Sequence, residues 1–155
     1  MANDRRLIVL GYAREIVITV VSYIFLYRFW SPMSIYKVVL DNAIAWIGLM
    51  GAFFAFASGL WGIIFWNVMS SDFGNYLRWR GVSTSIQTFF AAPACAFVVT
   101  IVLLILTAWS RSWPLAHISS ALLIYSIINV FSLFKNGRDL MKLYSEYHRW
   151  LQNRN

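Results

Sequence analysis

Charge is scarce in this chain: Asp, Glu, Lys and Arg make up 12% of its 155 residues, and six residues in all are acidic. A soluble domain needs far more polar surface, so the low charge excludes an ordinary water-soluble fold. Cysteine is scarcer still. The single Cys95 excludes an internal disulfide and a thiolate metal cluster, and its place inside an apolar block makes inert packing the expectation. Histidine occurs only as His117 and His148, which fall in separate parts of the chain, and the carboxylates are dispersed. Neither a paired acid–base site nor a metal-ligand spacing emerges, so the chain reads as a non-enzyme without a cofactor. An arginine ladder of the voltage-sensor kind is missing, and no acidic or histidine group lies securely at membrane depth, where coupled transport needs one.

What the chain has in abundance is apolar sequence, at 60% of its residues. It falls in four blocks, 16–30, 43–66, 89–108 and 115–134, each approaching the ~20 residues that cross ~30 Å of hydrocarbon. The fold expected is therefore an all-α integral membrane protein with four transmembrane helices (1–134) and a basic amphipathic tail (135–155). Net charge is +7, but the basic residues stand at block ends rather than along one polar face. They read as topology signals, not as a nucleic-acid surface.

Counting them by side gives the orientation. With both termini cytoplasmic, that side carries Arg5, Arg6, Arg14, Arg78, Arg80, Lys135, Arg138, Lys142, Arg149 and Arg154, against Arg28, Lys37 and Arg111 outside. This bias predicts a multi-pass membrane protein with both termini on the cytoplasmic side. Trp30, Trp46, Trp109 and Trp113 then mark the outer boundary, and Trp66 and Trp79 the inner one. The run Leu7-Ile8-Val9-Leu10 after Arg5-Arg6 has the look of a secretory signal, but Arg14-Glu15 interrupts it without a small-residue cleavage site, so retention is expected. Arg14 would cost about 2.5–3.5 kcal/mol at the centre of a span, and Glu15 beside it is no cheaper; this puts both at the cytoplasmic interface.

Local signals fill in the connections. Ser31-Pro32 predicts a helix start, followed by a short amphipathic helix on the outer leaflet, with Asp41-Asn42 capping the next span. On the inner side Ser71 or Asp72 caps a further helix that either ends at Gly81 or runs on through Ser83-Thr84-Ser85 as a stalk below span three. Pro93 lacks a backbone donor and crowds the carbonyl of Phe89, which predicts a bend.

Candidate functional residues are few. Gly48, Gly51, Ala55, Gly59 and Gly62, with Ala52 and Ser58 beside them, form a small-residue stripe where helices can approach closely, either within one bundle or as a homo-oligomer seam. Asn129 and Ser126 are polar groups inside span four, to be satisfied between helices or to line a pore. His117 is expected at headgroup level. In the tail, Leu140, Leu143, Tyr144, Tyr147 and Leu151 share one helical face and Arg138, Lys142, Glu146 and Arg149 another. The tail either lies on the anionic lipids of the inner leaflet or, with Trp150, docks a cytosolic protein or another subunit.

Tyr27-Arg28-Phe29 with Pro32, the segment 77–85 entering span three and the segment 131–140 leaving span four resemble the RexB family of phage-exclusion membrane proteins. More loosely, the layout is similar to the KwaA membrane subunit of the Kiwa antiphage system. The resemblance covers most of the length by layout and about twenty residues by pattern. It implies an oligomeric antiphage component that depolarises the inner membrane, as an ion channel does, or senses it beside a cytosolic effector. The longer basic tail of this chain departs from RexB and favours docking. Immunity against a pore-forming toxin and a plain membrane-anchoring scaffold are the other readings of such a chain.

Overall fold

The computed structural model describes residues 2–153, with side chains at residue 10 and from residue 12 onward. Arg154 lies outside the described residues, as do the side chains of Arg5, Arg6 and the run Leu7-Ile8-Val9. Every regular element among the described residues is helical: α1 (Ala2–Phe29), α2 (Pro32–Asp41), α3 (Ala43–Ile63), which runs on as a π-helical turn (Ile64–Val68), α4 (Asp72–Trp79), α5 (Ser83–Ser110) and α6 (Trp113–Gln152). Three helices are long and apolar enough to cross a membrane, namely Ala43–Val68, Ser83–Ser110 and Trp113–Gln152. A fourth crossing arises if Tyr12–Phe29 and Pro32–Asp41, bent by 109°, form one broken span. The expected block 16–30 belongs to this bent pair, since Arg14, Glu15 and Arg28 dilute the apolar run of α1.

The turns follow their capping chemistry. Ser31 has extended backbone and its Oγ accepts from Ser34 N at 3.1 Å, capping α2, whose first residue is Pro32. The break between α2 and α3 falls at Asn42, as Asp41-Asn42 predicts, but Asn42 does not cap α3. Its Nδ2 donates to Val38 O at 3.0 Å and so closes the end of α2. Gly81, at φ +70°, ends α4, and α5 starts two residues later at Ser83; span three thus carries the extension that the sequence left open.

α5 lies between α3 and α6 and is the centre of the bundle. Phe90, Phe97, Thr100, Leu104 and Thr107 point inward from it, facing Met50 and Ala57 of α3 and Ala116, Ser119, Leu123, Ser126 and Leu133 of α6. Lipid is as apolar as these side chains, so close packing and hydrogen bonds hold such helices together. Three bonds fall in one antiparallel register between α5 and α6: Thr107 to Ser119 at 2.8 Å, Thr100 to Ser126 at 2.9 Å and Asn136 Nδ2 to Phe89 O at 3.4 Å. The last uses the carbonyl that Pro93 frees, because a proline has no N–H to return to the residue four positions back. Cys95, expected as inert packing, is instead exposed, since it lies off the inward stripe of α5.

The π turn ends with Met69 N donating to Ile64 O at 3.0 Å, and the chain then folds back into α4. Ser71 caps α4, accepting from Gly74 N at 3.3 Å. Gly74 is required here: a Cβ would sit 2.5 Å from both Met69 O and Val68 O. α6 continues unbroken through Gly137, and its 40 residues rise roughly 60 Å, about twice the hydrocarbon thickness. The tail therefore continues the axis of the spanning segment.

Candidate functional site

The tail and α4 meet through their aromatic side chains. Phe73 has ring centroids of Tyr144 at 5.1 Å and Tyr147 at 5.5 Å; Tyr76 has Tyr147 at 5.4 Å and Trp150 at 5.7 Å. Trp79 adds Trp150 at 6.2 Å. Pairs at these spacings contribute about 0.5–1.5 kcal/mol each beyond the area they bury, enough together to fix two helices against each other. Leu140 and Leu143 extend the contact into the core below. At the far end Arg80 reaches Glu146 at 2.9 Å, with its guanidinium 5.8 Å from the Tyr76 ring. Both partners of that ion pair are about half exposed, so it contributes at most about 1 kcal/mol and mainly sets register.

This geometry changes the expected docking face. Tyr147 and Trp150 are half-buried against α4, because α4 turns Phe73, Tyr76 and Leu77 towards the tail. Trp79, Met141 and part of Tyr144 remain exposed on the outside of the joint. Cavities of about 550 Å³ and 500 Å³ flank it, the first between Asp72, Asn75, Trp79 and Trp150, the second between Asn67, Ser71, Met141 and Tyr144. Arg138 and Lys142 are exposed, the latter 3.6 Å from Asp139.

The polar residues of the apolar region lie inside the packing. Thr100 and Thr107 donate their single hydroxyl hydrogens to Ala96 O and Leu103 O, so Ser126 and Ser119 must be the donors in the bonds between α5 and α6. Such bonds contribute about 0.6 kcal/mol each in membrane helices. Asn129 is 1% exposed and gives Nδ2 to Tyr125 O of its own helix at 2.8 Å. His117, expected at headgroup level, is half-buried: its Nδ1 is 2.9 Å from Tyr23 Oη and its ring lies 4.2 Å from Trp113.

The small-residue stripe faces the other way. A Cβ added at Gly48, Gly51, Gly59 or Gly62 would meet nothing within 4 Å, and Ala55 is exposed. Met50, Ala57 and Ile64 occupy the opposite, buried side of α3 and its π turn. Packing of the stripe inside one bundle, one of its two expected roles, is thus not what this fold does. Among the described residues, no three His, Cys, Asp or Glu side chains converge as a metal site.

Sequence reasoning missed three features: the Gly74 contact, the His117–Tyr23 bond and the Asn136 clamp on Phe89. Only the last had a legible signal, in the position of Pro93 four residues after Phe89. No protein-family model, curated protein or solved structure matches this chain.

Proposed function

We propose that this chain is an oligomeric, four-span component of the bacterial inner membrane, with both termini in the cytoplasm, that serves antiphage defence by anchoring a cytosolic effector. The observation that carries the reading is the joint of α4 with the tail of α6, a braced aromatic body that continues a spanning helix beyond the length a bilayer needs. Trp79, Met141 and Tyr144 give it an apolar outer face of the kind that anchors protein partners. Arg138, one turn beyond the apolar block, is close enough for anionic inner-leaflet lipids to attract it, while Lys142 and Arg149 stand further along the axis of α6. The likeness in layout to RexB and KwaA proteins supplies the antiphage setting, and Ser126 and Asn129, closed into the packing, favour sensing and anchoring over conduction. The outward stripe of α3 is the seam for a second copy, and no catalytic chemistry is proposed.

Two perturbations test this. Vesicles carrying the purified protein should hold a potassium gradient as well as empty vesicles. Deletion of residues 139–155 should leave the bundle in the membrane while abolishing co-purification with a cytosolic protein. Rapid loss of the gradient, with partner recovery unaffected by the deletion, would replace the anchor with a pore.

A further inference from the structure

A cavity of about 410 Å³ opens between α1, α5 and α6 where their apolar stretches end. Arg14 and Glu15 of α1 and Lys135, Asn136 and Asp139 of α6 line its polar end. Ile18, Ile128 and Phe131, one to two turns further along the same helices, line its apolar end. The cavity therefore has the polarity of a phospholipid lying beside the bundle, and its size is within the roughly 300–1,000 Å³ of small-molecule sites.

The charges narrow the ligand. Glu15 Oε2 is buried and has no hydrogen-bond donor among the described residues. A buried acceptor left in that state is costly, so the site favours a ligand that brings N–H groups. Arg14 and Lys135 form no ion pair among the described residues, whereas Asn136 is held by Phe89 O and Asp139 lies near Lys142. We propose that this cavity binds the headgroup of an aminophospholipid, with its ammonium at Glu15 and its phosphate between Arg14 and Lys135. A purely anionic headgroup can place its phosphate between Arg14 and Lys135 but brings no cation to Glu15, and it adds a net negative charge to a lining whose two cations are already balanced by Glu15 and Asp139. A choline headgroup carries no N–H for Glu15. The proposal rests on the membrane placement given above but not on the effector, the oligomer or the side of the membrane.

Native mass spectrometry of the full-length protein from mixed micelles holding equimolar phosphatidylethanolamine, phosphatidylcholine and phosphatidylglycerol reads the preference directly. Phosphatidylethanolamine should be retained about tenfold over phosphatidylcholine, the ratio expected for one charge-assisted hydrogen bond. Glu15→Gln should lose that preference, and Arg14→Gln with Lys135→Gln should lower retention of every phospholipid. Equal retention of the three lipids by the unmodified protein, or a preference for phosphatidylglycerol, overturns the site even if Glu15→Gln does not fold. Retention of none also overturns it, while resistance of the protein to alkaline extraction from membranes separately reads whether the placement itself fails.

Discussion

Gly74→Ala should separate α4 from the rest of the structure. The added methyl would sit 2.5 Å from two backbone oxygens, Met69 O and Val68 O, and neither can rotate aside as a side chain could. Relief requires α4 to lift from the π turn, and with it Phe73 and Tyr76 leave Tyr144, Tyr147 and Trp150. The cost should reach the upper end of the roughly 1–3 kcal/mol that overpacking brings. Thermal unfolding of the detergent-solubilised protein checks this, alongside limited trypsin digestion, which should quicken at Lys142 and Arg149. Gly62→Ala is the control: its methyl meets open space, and alanine favours a helix by about 0.8–1.0 kcal/mol over glycine. Equal stability of the two variants would remove the brace from the account.

A second pair of substitutions separates the two faces of α3. Ala57 is fully buried against α5, so Ala57→Leu forces α3 and α5 apart and should destabilise the bundle by about 1–3 kcal/mol or prevent its accumulation. Gly59, two residues on, looks outward, so Gly59→Leu should not lower the unfolding temperature of the single chain. In the proposed oligomer the same leucine lands where two backbones approach, and the complex should fall to monomers in size-exclusion chromatography with light scattering. If Gly59→Leu keeps the oligomer intact, the stripe is a lipid-facing surface and the seam lies elsewhere.

The helices were readable because apolar blocks of bilayer length have few alternatives, and the start of α2 because Ser31-Pro32 is a helix-start pair; for α4 the sequence left Ser71 and Asp72 both open as caps, and the bond from Gly74 N decides for Ser71. The bent course of α1 into α2 was less readable. Its apolar content is diluted by Arg14, Glu15 and Arg28, so block length alone did not separate a straight crossing from a broken one. The outward direction of the glycine stripe could not be read at all: small residues permit close approach but do not say to what, and the position of α5 on the Met50 side of α3 decides it. Nor could the tail be read correctly by itself. Its amphipathic pattern announced a buried face, but the partner, α4, is eight residues long and mixes Asp72, Asn75 and Arg78 with its aromatics, so its own pattern gave little notice of the joint.

The most direct test of the account is the side of the membrane on which the joint of α4 and the tail lies. In a Cys95→Ala background, single cysteines at the exposed positions Ser34 and Ser145 can be treated in intact cells with a membrane-impermeant thiol reagent. Ser34→Cys should label from outside and Ser145→Cys only after the inner membrane is permeabilised, as the distribution of basic residues requires. Labelling of Ser145→Cys in intact cells would place the joint outside the cytoplasm and contradict the anchoring of a cytosolic partner.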